Sequence, residues 1–119
     1  MDKIKQLNLP ETYENSLISC LNIIKVLDYV KKVFIFGSCV DGELNEYSDI
    51  DFMVLINDDL NAFNAGVKIR IKLAGVSNVP LDLLVNNINK FYCETNIGHS
   101  LQREILEKGV LLYEREETS

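Results

Sequence analysis

Gly37-Ser38 is followed, after the ten residues Cys39 to Ser48, by Asp49-Ile50-Asp51. A glycine lets backbone approach an anion with no β-carbon in the way, and a serine adds a hydroxyl and an N–H at the start of a helical turn, where anions are favoured. Strand side chains alternate between faces, so Asp49 and Asp51 point the same way, with α-carbons about 6.6 Å apart at ~3.3 Å per residue. Two carboxylates so placed can share divalent cations. Together these residues suit metal-assisted phosphoryl chemistry. A third carboxylate, Asp82, lies inside the apolar run Leu81-Asp82-Leu83-Leu84-Val85 near the start of its strand and reads first as a buried ligand, the alternative being a polar residue on an exposed strand face. Magnesium prefers six oxygen ligands and takes a few carboxylates plus substrate phosphates. Asp49 and Asp51 would hold the ions, and Asp82 would complete one site and take a proton from an attacking hydroxyl.

The elements that must position these groups are short. Val33-Phe34-Ile35-Phe36 and Phe52-Met53-Val54-Leu55-Ile56 are apolar runs bounded by turn residues and read as buried strands, the first over about 32–36 and the second over 49–56. Leu17, Leu21, Ile24 and Leu27 form one stripe of an amphipathic helix over 11–29. Residues 58–75 alternate with strand period near Val67–Leu73, yet Leu60, Phe63, Val67, Ile71 and Ala74 repeat at helical spacing, and length favours a helix ended by Gly75. A third strand at 81–85, a helical turn at 87–92, a helix at 98–108 stopped by Gly109, an edge strand at 110–113 and a charged tail Glu114 to Ser119 complete the reading.

Returning Gly37 to Asp51 through a ten-residue loop makes the first two strands antiparallel if they are neighbours. A helical crossover, right-handed by rule, makes the third parallel to the second. The expected fold is α/β (α+β), a small mixed β-sheet flanked by helices.

At 119 residues with 47% hydrophobic and 25% charged residues, the chain has the size of a single domain, 1–119, burying roughly two-thirds of its unfolded surface. No apolar stretch approaches the ~18 residues of a membrane span, and Met1-Asp2-Lys3-Ile4-Lys5-Gln6 is not an apolar leader. A cytoplasmic protein is the expectation. A net charge of −6 disfavours broad nucleic-acid binding. Cys20, Cys39 and Cys93 are widely spaced with no CxxC pair, so reduced thiols are expected. Cys39 reads as a small packed residue and His99 as a surface residue. Lys68, Arg70 and Lys72 read first as a solvated face.

Phe36-Gly37-Ser38, ten residues and Asp49-Ile50-Asp51 resemble the signature of the polymerase-beta-like nucleotidyltransferase superfamily. The length is similar to its minimal, single-domain branch (MNT). The similarity runs, more weakly, through Leu81-Asp82-Leu83 to Ile105–Tyr113. The resemblance implies Mg2+-dependent transfer of a nucleoside monophosphate from a triphosphate, usually ATP, to a hydroxyl, with the family's three acidic residues at Asp49, Asp51 and Asp82 and its nucleotide cradle at Gly37 and Ser38. Many minimal members are antitoxins that adenylylate a tyrosine of an all-helical HEPN ribonuclease toxin, which implies a protein partner and a hetero-oligomer. Alternatives are a small hydroxylated acceptor such as an antibiotic, or a non-catalytic module that covers its partner. The family often carries arginine after the Gly-Ser and again before the next glycine, where this chain has Cys39 and Asp41. Lys68, Arg70 or Lys72 could compensate if that face turned to the site, and Ser38-Cys39-Val40-Asp41 fits a capping box.

Overall fold

Apolar runs at the centre of the chain become strands buried on both faces. The computed structural model describes residues 2–116. The strands β1 (Val30–Phe36), β2 (Ile50–Ile56), β3 (Leu81–Asn87) and β4 (Val110–Glu114) form one sheet in the order β3-β2-β1-β4. β1 pairs antiparallel with β2 and β4, whereas β2 and β3 are parallel. A parallel pair needs a long crossover, supplied by α4 (Ala62–Leu73). The other helices are α1 (Asp2–Gln6), α2 (Glu11–Ile24), α3 (Ser38–Asp41), α5 (Ile88–Glu94) and α6 (Leu101–Lys108). The expected mixed sheet flanked by helices is what forms. Among the described residues no helix is long and apolar enough to cross a membrane.

Each face of the sheet has its own core. Val33, Ile35, Phe52, Val54, Ile56 and Leu83 pack with Leu17, Cys20, Leu21 and Ile24 of α2 and with Ala65, Ile69 and Leu73 of α4. On the other face Phe34, Met53 and Leu55 pack with Phe91 of α5 and Ile105 of α6, and the Phe34 and Phe91 rings stack 5.8 Å apart. β2 is covered on both sides, so its sequence is a continuous apolar run rather than an alternation.

Three local expectations are corrected. The first helix stops at Ile24 rather than 29, because Arg115 donates to the carbonyls of Lys25, Leu27 and Val30 and holds the following residues in turns. A cation on the last carbonyls of a helix is a favoured stop. Arg115 therefore belongs to the folded structure rather than to a free tail, and residues 117–119 of the expected tail lie outside the described residues. The helix over 58–75 forms, but its expected stripe faces outward. Phe63 is 76% exposed and Ile71 69%, while Ala65, Gly66, Ile69 and Leu73 face the core. α1 was not anticipated: Ile4 is buried and Lys3 donates to Leu111 O at 3.0 Å, but five residues are too few to show periodicity.

The facing of α4 can be checked by a pair of substitutions. Ile69→Ala should cost about 2–5 kcal/mol through the cavity it leaves. Ile71→Ala, two residues on, should stay within about 0.5 kcal/mol. Urea unfolding midpoints measure both.

Candidate active site

Gly37 ends β1 in a backbone conformation (φ 74°, ψ −146°) that side-chain-bearing residues rarely adopt, and it is the N-cap of α3. A second constraint acts at the same residue. A β-carbon there would fall on the Asp51 carboxylate. The bend and the carboxylate are thus in direct steric contact, fourteen positions apart in the chain.

The expected capping box does not form. Gly37 occupies the cap, with no side-chain capping bond, and the Asp41 carboxylate instead accepts from Glu43 N at 3.0 Å. Ser38 is the first helical residue, half-buried, so its hydroxyl is not used as the cap.

The return loop is shaped by its own polar side chains. Asn45 Oδ1 accepts from Tyr47 N at 2.8 Å, and Ser48 Oγ accepts from Asn45 N at 2.9 Å. Such side-chain mimics of a turn are what Asn and Ser offer. The loop is then anchored from α2: the Tyr13 hydroxyl donates to Ser48 O at 2.7 Å and to Asn45 O at 3.3 Å. Cys39 Sγ lies 3.9 Å from Asp49 O as a weak donor. Burial, and then the charges of Asp51 and Asp41, push the Cys39 thiol up to about 11, so it stays protonated at neutral pH and acts as a packed residue. Tyr13 was not identified in the sequence as a site residue. Its bond spans 35 positions, and no local pattern signals it.

Register places the carboxylates. Phe36 is opposite Asp51 across β1–β2, and Asp51 is opposite Asp82 across β2–β3. Asp51 and Asp82 therefore share the face of Met53 and Leu84, on the α5/α6 side of the sheet. Asp49 immediately precedes β2. Asp51 is half-buried, while Asp49 and Asp82 are exposed. Of the two expectations for Asp82 the exposed one holds: it lies on an edge strand whose starting end is left open. Burial first, then the charges of Asp82 and Asp49, raise Asp51 from 3.8 to about 6. The three carboxylates thus repel one another through Asp51. Among the described residues no three acidic, His or Cys side chains are gathered closely enough to hold a metal ion as they stand.

A cavity of about 540 Å³ adjoins Gly37 on this face, walled by Phe36, Val40, Leu101 and Ile105. A cleft of about 630 Å³ along α6 and the residues before it, from Gly98 to Lys108, includes none of the three aspartates and not Gly37. His99 lines that cleft, exposed as expected. Two of the cations of α4 are placed by their surroundings. Arg70 donates to Leu83 O, and Lys68 lines a cavity with Tyr29 and Asn61, beside the start of β1 rather than its end. The core face of α4 packs on the side of the sheet opposite Asp51.

A four-stranded mixed sheet with an acidic row beside a glycine bend defines a polymerase-beta-like nucleotidyltransferase fold. The family model of the nucleotidyltransferase domain matches residues 17–112, and the chain belongs to that family. A protein of Methanocaldococcus jannaschii named "putative protein adenylyltransferase" is 31% identical over 84 residues, covering 71% of this chain and 79% of that protein. A solved toxin–antitoxin complex with AMP-PNP contains a chain that superposes with a TM-score of 0.56 at 22% identity, over 86% of this chain and 73% of that one. A structure from Sulfolobus solfataricus, named a "putative nucleotidyltransferase", gives 0.51 at 18% identity over 92% of both chains.

Two outcomes follow from this geometry. Tyr13→Phe should cost about 1–3 kcal/mol, because the buried loop carbonyls lose their donor, as measured by denaturant midpoints. The raised Asp51 means that the folded state without cation binds a proton more readily than the unfolded state. Its contribution to stability is fully present below 3.8 and is lost as pH rises through about 6. Asp51→Asn should remove that loss and stabilise the metal-free protein at pH 7 by about 1 kcal/mol, a figure discounted for solvent screening. Thermal melts in EDTA across pH 4–8 compare the two proteins.

Proposed function

We propose that this chain transfers AMP from ATP to a hydroxyl of a partner protein, with magnesium, in a cytoplasmic setting, as the antitoxin of a pair whose toxin is a helical HEPN-type ribonuclease. The observation that carries the reading is the contact of the Gly37 backbone with Asp51, with Asp82 in register beside it. Nucleotidyl transfer is the activity of the family. A protein acceptor is favoured by the relative named for adenylylating protein and by the exposure of Asp49 and Asp82, which leaves the row open to a side chain from another molecule.

The chemistry of the donor set suits magnesium, although the three side chains are not gathered around one point as they stand. Three carboxylates are hard oxygen ligands, and their mutual repulsion at Asp51 is what a divalent cation would offset. Asp49, Asp51 and Asp82 would hold the ion, which when bound supplies charge stabilisation on the phosphoryl oxygens. Gly37 gives the phosphates close access to backbone, and the Ser38 hydroxyl, free of a capping role, donates to a phosphate oxygen. Asp82, at the open end of the row, accepts the proton of the acceptor hydroxyl. The acceptor oxygen bonds to the α-phosphorus as the bond to the bridging oxygen of the β-phosphate breaks, and pyrophosphate leaves. Phe36 and the neighbouring apolar wall limit water beside the reacting phosphate.

Labelled ATP, magnesium and a co-purified helical partner test the proposal. Label should appear on the partner, and Asp82→Asn should lower the rate at least about 100-fold, since metal and base each supply several kcal/mol. Label on a small acceptor alone, or full activity of Asp82→Asn, refutes it.

A further inference from the structure

A triphosphate would enter a strongly acidic neighbourhood. Asp51 and Asp41 lie at the bend, Asp82 is in register with Asp51, Glu104 lines the cavity, and the whole chain carries −6. The two positions where the resemblance implies arginine are closed to cationic roles. Cys39 is a buried, protonated thiol and Asp41 is bonded to its own loop. On α4, Arg70 is held by Leu83 O and Lys68 lines a cavity at the start of β1. One cation of α6 lies at the cavity. Lys108 lines the same cavity as Gly37 and is the one Lys or Arg among the residues that do. It is exposed and, among the described residues, makes no ion pair or hydrogen bond.

Two backbone features hold Lys108 there. Gly109 N donates to Ile105 O at 2.7 Å, and a β-carbon on Gly109 would crowd both Ile105 O and Ile35 O, so the end of α6 is pressed against β1. The β1–β4 register pairs Phe34 with Leu111 and Ile35 with Val110. Lys108 lies two residues before the last of these pairs, at the end of α6.

Building on the nucleotide reading above, we propose that Lys108 is the cation that binds the pyrophosphate end of ATP in this site. The α-phosphate belongs at the Asp51–Asp82 side, where the acceptor must arrive, so the β- and γ-phosphates extend over Gly37 into the cavity. There the Lys108 stem follows the apolar wall and its ammonium meets the phosphates, as long cationic side chains do. The low-polarity wall strengthens that attraction relative to open water.

Calorimetric titration of the full chain with magnesium-ATP and with AMP tests this assignment. Lys108→Ala should weaken ATP about tenfold, about 1.4 kcal/mol, and leave AMP unchanged. Lys108→Arg should restore ATP to within about threefold, and Lys68→Ala should bind both as wild type. Equal ATP affinity in wild type and Lys108→Ala overturns the role of Lys108 while leaving the nucleotide reading intact. An equal loss of ATP and AMP overturns it in favour of a contact to the nucleoside or to the fold. Wild type that binds neither nucleotide overturns both.

Discussion

Everything at the candidate site depends on how closely the Gly37 backbone approaches the Asp51 carboxylate. That closeness requires a residue with no β-carbon and a φ of 74°, and it brings an element suited to anions against one suited to cations. A ligand that carries both, a phosphate with a divalent ion, satisfies the two at once. Without it the arrangement is electrostatically unfavourable, as the raised Asp51 shows. The sheet sustains this because β2 is buried on both faces, so the strand bearing Asp51 cannot relax away from the bend without disrupting two cores.

The chain organises around this contact in layers. α2 and α4 form the larger core on one side, and α2 reaches through Tyr13 to fix the loop that delivers Asp49. α5 and α6 close the other side only in part, through Phe91 and Ile105. That incomplete cover leaves the end of the sheet open at the carboxylates and creates the cavity beside Gly37. Stability is concentrated on one face and access on the other.

Much of this was legible from residue types. β1 and β2 are apolar runs flanked by turn residues, and the antiparallel and parallel pairings followed from loop length and the intervening helix. The convergence of Asp51 and Asp82 followed from strand period. Other features were not legible because they rest on contacts between distant parts of the chain. α4 has apolar residues on two faces, and only packing decides that Ile69 turns inward and Ile71 outward. Tyr13, Arg115 and Lys108 have no local motif. Each acts on backbone or space dozens of residues away. The exposure of Asp82 depends on β3 being the outermost strand, which a short apolar run does not reveal.

The Arg70 guanidinium on Leu83 O, at 2.6 Å, bears on how another polypeptide can approach. β3 lies at the margin of the sheet, and an uncovered margin is a template for pairing with a foreign strand. Here one of its backbone acceptors is already held by a charged donor, and any incoming strand would have to displace it. Strand addition is thereby disfavoured at this point of the margin, next to the carboxylate row.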